Sequence, residues 1–528
     1  MRFLRRCGVV FVSLICASFF SVHAAEIVSS DICVFGGTSG GVAAAVQAAK
    51  AGQKVVLTEF GNHLGGMTSG GLGKTDIGNK GAIGGIAREF YRRVGQHYGS
   101  NEVWTFEPHV AEAVFNEMAK EAGVHVYFNA RLGSVKMKNS RVTEIRMEDG
   151  RIFRAKMFID ASYEGDLMAR AGVSYFVGRE ANSTYGETLN GIRAVTPKHQ
   201  FLVAVNPWQR LNDPASGVLP WIQEESPGTP GSGDKSIQAY NFRLCLTQNP
   251  TNRMPIDSPP NYNSSQFDLL ARYITDLVAS GKTPSLRQFM NIDMVPNGKT
   301  DINNNGGFST DFIGGNYGYP EGSYSERAKI WKAHEDYTRG FLYFLANDPR
   351  STPGIRAEMS PWGLCKDEFS DTGGWPSQLY VREARRMVSD YVMTERNCRE
   401  SLALPDAVGL AAYTMDSHNC RRIIRAGHVE NEGDVQVGGF PPYQISYRSL
   451  VPRQTECQNL IVPVCLSASH IAYGSIRMEP VFMVLGQSAA MAATLAIEEK
   501  VSVQKIDYEE LRRRMLAAGQ ILSWPAKN

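Results

Sequence analysis

Gly36-Gly37-Thr38-Ser39-Gly40-Gly41 stands between a short apolar run, Ile32 to Phe35, and an alanine-rich stretch, Ser39 to Ala51, with a second apolar run at Lys54 to Thr58. Strand, glycine turn, helix and strand in that order make a βαβ unit, which requires a parallel sheet. A turn without side chains lets a pyrophosphate approach the backbone and reach the free N–H groups at a helix N-terminus. Glu59 ends the second strand at the roughly 20-residue offset where a carboxylate accepts from a ribose 2′-OH. The usual G-x-G-x-x-G has glycine where this chain has Thr38. Gly36, Gly37, Thr38, Ser39, Gly40, Gly41 and Glu59 are therefore candidate dinucleotide contacts.

A second side-chain-poor loop, His63-Leu64-Gly65-Gly66-Met67-Thr68-Ser69-Gly70-Gly71-Leu72-Gly73, follows directly. A nicotinamide dehydrogenase has no use for it, whereas a flavin dinucleotide needs amide donors along its pyrophosphate and ring. Gly65, Gly66, Met67, Ser69 and Gly70 join the cofactor candidates, and His63 is a candidate for covalent flavin attachment. Helices are predicted at Gly84 to Tyr98 and Pro108 to Ala122, the second with proline in its first turn. A strand follows at Val124 to Phe128. Arg131 to Ala155 alternates apolar and polar residues around Asn139-Ser140 and Asp149-Gly150, which predicts a three-stranded meander. Met157 to Asp160 then returns as a buried strand.

From about Ala181 to Gly439 the chain is rich in Pro, Gly, Asn and aromatics, with long irregular stretches of the kind that build binding surfaces. Helices are expected at Ser325 to Asn347 and Ser377 to Asn397. Asp301-Ile302-Asn303-Asn304-Asn305-Gly306 imitates a calcium loop, but Phe312 stands where the bidentate glutamate is needed, so it reads as a polar turn. At the C-terminal end Asn459 to Val464 is a strand, Pro480 to Glu498 an apolar helix and Tyr508 to Ala518 an amphipathic one. The abundance of Ala and Gly in Pro480 to Glu498 marks close packing against a sheet rather than a membrane span. The expected fold is α/β: a Rossmann-type FAD-binding domain, parallel sheet plus three-stranded meander, with an inserted α+β substrate domain. Its boundaries are 25–180 and 440–528 for the FAD-binding domain and 181–439 for the insert.

Residues 1–24 carry Arg2, Arg5 and Arg6, an apolar run from Gly8 to Val22 and the small-residue site Val22-His23-Ala24, which together read as an export signal. The expected location is periplasmic or secreted. Basic and acidic side chains nearly balance, 55 against 53, so nothing favours nucleic acid. Seven cysteines follow the signal without CxxC spacing, which argues against a zinc site and leaves room for one or two disulfides. No HExxH, GxSxG or Walker sequence supports a hydrolase or phosphotransferase.

With these residues in view, the chain resembles the FAD-dependent oxidoreductase family whose nucleotide turn reads GGT-x-x-G, some secreted members of which carry the label "xanthan lyase". The resemblance also rests on Phe158-Ile159-Asp160-Ala161-Ser162, Tyr380 through Arg386, Met415 through Asn419, Tyr447 through Pro452, and Gly474 through Pro480. It implies bound FAD in a two-part domain, with Asp160, Ala161, Arg477, Glu479 and Pro480 near the cofactor. The helix opening at Pro480 would turn its positive end toward the pyrimidine edge of the flavin. The general flavoprotein pattern is broken at Val464-Cys465-Leu466-Ser467, where no Gly-Asp waits for the ribitol.

A flavin enzyme needs a positioned C–H donor and a proton acceptor. His470 is the first candidate base and His418 the second, both beside matching motifs. Arg382, Arg385 and Arg386 within one helical turn could clamp an acidic substrate or pair with Glu383 and Glu395; Arg448 and Arg477 are further polar candidates. The expected activity is oxidation of an alcohol or amine carbon, of a sugar or sugar derivative, by hydride transfer to flavin N5. The small-molecule donor and the electron acceptor stay unidentified. The alternative is a secreted polysaccharide lyase or carbohydrate-binding protein that keeps the nucleotide fold without redox use.

Overall fold

The computed structural model describes residues 26–525 of the 528-residue chain, so the export signal expected at residues 1–24 lies outside the described residues. β1 (Ile27–Phe35), α1 (Ser39–Lys50) and β2 (Val55–Thr58) form the expected βαβ unit, with β1 and β2 parallel. α2 (Gly85–His97) and α3 (Pro108–Glu121) lead to β3 (His125–Tyr127), which adds in parallel to β2. β4 (Leu132–Lys138) and β5 (Arg141–Met147) meet at Asn139-Ser140, whose φ angles of 51° and 53° are the paired left-handed values of a tight hairpin turn.

β6 (Ile152–Asp160) is both the last meander strand and the buried return strand. Its first residues pair antiparallel with β5 while its whole length runs parallel to β1. The two expected strands are one because no turn residue separates Ala155 from Met157. Sheet order is β3-β2-β1-β6-β5-β4, and Leu460–Ile461 joins in parallel beside β6. Side chains along β1 alternate between two cores: Ile32 and Val34 enter the larger, Cys33 and Phe35 the smaller.

The helix Glu479–Glu499 crosses α1 at very short range, because Gly40 and Gly486 bring the two backbones together where a Cβ would overlap. Chain segments more than 400 residues apart thus build one layer. Among the described residues this is the one helix long and apolar enough to cross a membrane, and 94% of its apolar window is buried inside the protein.

The insert carries a five-stranded antiparallel sheet and the long helix Tyr324–Asn347, capped by a reciprocal Ser323–Glu326 box. Its apolar core is continuous with the larger core of the nucleotide layer. Two expectations fail here. Ser377 to Asn397 is not a helix: the chain runs extended, Arg386–Met387 pairs with Tyr175–Phe176, and only Glu395–Glu400 is helical. Asp301 lies in the strand Lys299–Asn304, fully buried, rather than in a polar turn. In both places buried ion pairs override local propensity. All seven cysteines among the described residues are free and buried.

Candidate functional site

The glycine turn opens into a cavity. Gly36 takes φ +100°, and a Cβ there would lie 2.6 Å from the Ser162 amide nitrogen. Thr38, standing where glycine was expected, caps α1: its hydroxyl accepts from Gly41 N–H at 3.1 Å and donates to the Ala161 carbonyl at 2.8 Å. Gly37 and Gly61 N–H groups donate to Glu59 at 2.6 and 2.7 Å, which pins its carboxylate at the end of β2. Burial pushes the Glu59 carboxyl up to about 7 against those two amide bonds. The second loop docks on the first through Gly65 N–H to the Gly37 carbonyl at 2.7 Å. Beyond it, Gly73 and Lys74 N–H groups both donate to Asp301, so this loop leads from the nucleotide turn to the insert.

Two adjoining cavities of about 50 and 370 Å³ share Gly36, Phe60, Ser162, Glu164 and Ser377. The smaller one is also lined by Thr38, Glu59, His63, Gly66 and Tyr163. The larger continues to Arg131, Tyr324, Arg327 and Trp331, so the insert's long helix supplies its far wall. This set fits a dinucleotide: helix-start amides for phosphate, a carboxylate for the ribose diol and aromatic faces for a base. Ser162, Tyr163, Phe60 and Trp331 were not singled out from sequence. The FID-A-S match contained Ser162, but nothing in sequence brings Trp331 to the end of β2.

The N-terminus of the helix Glu479–Glu499 is tied to the second loop. Thr68 and Tyr163 hydroxyls donate to Glu479 at 2.6 and 2.9 Å, and Met67 N–H donates to the Tyr163 hydroxyl at 2.8 Å. Burial raises the Glu479 carboxyl above its usual range despite these bonds. Pro480 occupies the first turn, and Ser69 donates to the Leu64 carbonyl, closing the loop around Gly70. Gly70 leaves no room for a side chain against Gln378.

A third cavity, about 230 Å³ and strongly polar, lies where the second loop reaches the insert. His418 lines it, with Nδ1 2.7 Å from Asp311 and Nε2 3.6 Å from Asp416. Burial and Arg382 press the imidazole pKa down, and Asp311 and Asp416 overcome both, so it ends above its ordinary value. Burial would raise the Asp416 carboxyl, but His418 and Arg477 hold it down to about 2. Arg477, just ahead of the helix Glu479–Glu499, bonds Asp416 at 3.0 Å. His199 stacks on His418 with ring centroids 6.4 Å apart, held at φ 50°, an uncommon backbone for a non-glycine residue. Asp311 and His199 carried no motif and were missed. Arg382 stands behind the wall, 3.0 Å from Asp311, with Nε and Nη2 buried and without partners.

Other expected residues are placed elsewhere. His470 is 2% exposed, Nδ1 2.7 Å from Glu383 and Nε2 3.1 Å from the Ser417 hydroxyl. Burial and Arg386 drive its pKa down to about 3, so it is a neutral imidazole inside the fold, and it lines none of these three cavities. Arg448 is half-exposed on Asp406 at 2.9 Å and lines no cavity described here. Arg385 and Arg386 diverge, one to Asp166 and one to Glu180 and Glu383, so no arginine clamp forms. Asp160 turns inward to Ser162 and Met168 and shapes the loop after β6 rather than facing the cavity. His63 is held between Glu112 and Asp371.

Comparison with known proteins gives one family match and a set of partial structural likenesses. The sequence model of the family described as "FAD dependent oxidoreductase" matches residues 31–515. No curated protein matches the chain. Among solved structures it is similar to 3-ketosteroid-delta4-(5alpha)-dehydrogenase from Rhodococcus jostii RHA1, at 16% identity and TM-score 0.21, over 29% of this chain and 50% of that one. L-proline dehydrogenase from P. horikoshii gives 15% identity and TM-score 0.24, over 30% and 59%. L-amino acid deaminase from Proteus vulgaris gives 16% and 0.23, over 30% and 53%. The chain spans between 50% and 59% of the length of these three structures.

Proposed function

This chain belongs to the FAD dependent oxidoreductase family and binds FAD, and from that premise we propose that it oxidises an alcohol or amine carbon of a small polar molecule in the cavity fronted by His418. The reading includes a sugar or sugar derivative as donor and export through residues 1–24. The carrying observation is the Asp311–His418 pair on the wall of a polar cavity reached by the second glycine loop. Bound FAD supplies the two-electron acceptor.

The chain's own residues divide the remaining work. Asp311 accepts from Nδ1–H and so fixes the tautomer, leaving the lone pair on Nε2. A pKa raised above the ordinary value suits His418 to take the substrate's hydroxyl or ammonium proton near neutral pH. Arg477 and Asp416 brace one another across the cavity wall and the start of the helix Glu479–Glu499, which offers its positive end to charge developing on the cofactor. Glu59 would hold the ribose, the Gly36–Gly41 turn the pyrophosphate, and Phe60 with Trp331 the adenine.

The test is anaerobic addition of candidate alcohols, sugars and amines to the purified holoprotein. A donor bleaches the flavin in the native protein and does so at least a hundredfold more slowly in His418→Gln. Release of an unsaturated sugar without flavin bleaching would overturn the reading in favour of a lyase.

A further inference from the structure

Several cations line or back the cavity beside His418, and each has an ion-pair partner among the described residues. Arg243 makes a two-pronged pair with Asp301 at 2.7 and 2.8 Å, both side chains buried. Lys74 is 2.7 Å from Asp293, and behind the wall Arg477 and Arg382 are each 3.0 Å from Asp416 and Asp311. The carboxylate left over is Asp76, half-buried on the wall and without an ion-pair partner among the described residues. A carboxylate ligand would lose its hydration, meet only cations already committed to internal partners, and face Asp76.

The uncharged part of the lining points to a different ligand. Asn291, Asn303, Asn304 and Gln436 line the cavity, with the Asn291 and Asn303 side chains paired on one face of their strands. Each amide offers donors and an acceptor, which is the alternation that a run of hydroxyls satisfies, since a hydroxyl both donates and accepts. Asn291 spends one donor on the Asn304 carbonyl at 3.2 Å, and Asn303 accepts from Asn241 at 3.2 Å, so each keeps further bonding capacity. An ammonium would find Asp76 unpaired, so the charge on this lining separates neutral ligands from acids and not from amines. At about 230 Å³ the space lies below the ~300–1,000 Å³ usual for drug-sized ligands, the scale of one small ring or a short chain.

We propose that this cavity takes a polyhydroxylated molecule, a neutral monosaccharide or polyol, in preference to the corresponding sugar acid, through internal neutralisation of its cations. The inference rests on the proposed oxidation at this cavity and specifies its substrate class. Asp76 is the specificity-determining residue, because it holds the unpaired charge. An unpaired lysine in its place would give an acid the partner it lacks in the native protein.

The test uses the FAD-loaded full chain and a matched trio: an aldohexose, its aldonic acid and its amino-sugar analogue. Binding is read as protection against thermal unfolding and turnover as anaerobic flavin bleaching. The neutral member should bind at least tenfold more tightly than the acid, and Asp76→Lys should improve acid binding at least fivefold while weakening the amine. Binding of the acid by the native protein as tight as that of the neutral sugar overturns the inference, as does failure of all three to bind. Asp76→Asn is the second variant: it removes the charge without adding one and should narrow the gap between neutral and acidic ligands. If the neutral ligand protects but never bleaches the flavin, the selectivity stands and the oxidation reading fails instead.

Discussion

Gly486→Ala perturbs a close crossing where the two ends of the chain touch backbone to backbone. A Cβ on Gly486 would overlap the Gly40 carbonyl oxygen and stand 2.8 Å from its carbon and 3.1 Å from its Cα. Ordinary carbon contacts begin near 3.5 Å, and the listener on the other side is main chain, which cannot rotate away. α1 must therefore shift by several tenths of an ångström or more, and overpacking of this kind costs about 1–3 kcal/mol. The residues displaced are those at the start of α1, whose amides are proposed to receive the phosphates. If FAD requires their native position, the strain appears in binding, and 1.4 kcal/mol per decade converts it to a loss of ~5- to 150-fold in FAD affinity. The assay is quenching of flavin fluorescence on titration of the apoprotein, with a thermal melt in saturating FAD as the companion measurement. Gly354→Ala is the control, since that exposed position in the helix Pro353–Met359 has only Thr352 Oγ1 near it, at 3.8 Å, and alanine there should stabilise by up to about 1 kcal/mol. Native FAD affinity and native stability in Gly486→Ala would refute the reasoning.

The other predictions concern charge and stacking. Ribose hydroxyls donate more strongly to an ionised acceptor, so FAD binding favours the Glu59 carboxylate and releases its proton. FAD affinity should then rise as pH climbs through about 7, and Glu59→Gln should flatten that dependence; a native profile without slope in this range would count against it. Trp331→Ala should lower FAD affinity ~5- to 150-fold, the ~1–3 kcal/mol of one base–aromatic stack, and leave FMN affinity unchanged because FMN has no adenine. Equal losses for both would remove Trp331 from the adenine wall. Asp311→Asn takes away the carboxylate that holds the His418 pKa up, leaving burial and Arg382 to press it down. A hydrogen bond to a charged group is worth about 1.5–3 kcal/mol and a pKa unit is 1.36 kcal/mol, so the acid limb of kcat/KM should move ~1–2 pH units lower. An unmoved limb would mean that another group takes the proton.

Local pattern made the nucleotide layer legible. Asp31 through Glu59 folds as its periodicity predicts, and Asn139-Ser140 turns as a left-handed pair should, because these features are decided by neighbours in sequence. The distant half was legible from its small residues, since a helix as poor in bulk as Pro480 to Glu498 has to lie close to another backbone. What escaped was decided by long-range charge. Arg382, Arg385 and Arg386 have helical spacing, yet their partners Asp311, Asp166 and Glu180 come from three different segments and pull the chain straight. His470 and His418 looked alike as polar-turn histidines. One is enclosed beneath Glu383 with Arg386 beside it, the other opens on a cavity between two carboxylates, and that difference exists only after folding.

On the proposed reading, FAD bound across the two glycine loops takes electrons from a molecule held beside His418. The most direct test of this reading is the visible spectrum of the purified full chain during anaerobic titration with a neutral aldohexose, run in parallel with His418→Gln. The expected result is a yellow protein whose flavin bleaches in the native form and persists far longer in the variant. A native protein that binds FAD and the sugar yet keeps its oxidised spectrum, or a variant that bleaches just as fast, would contradict it.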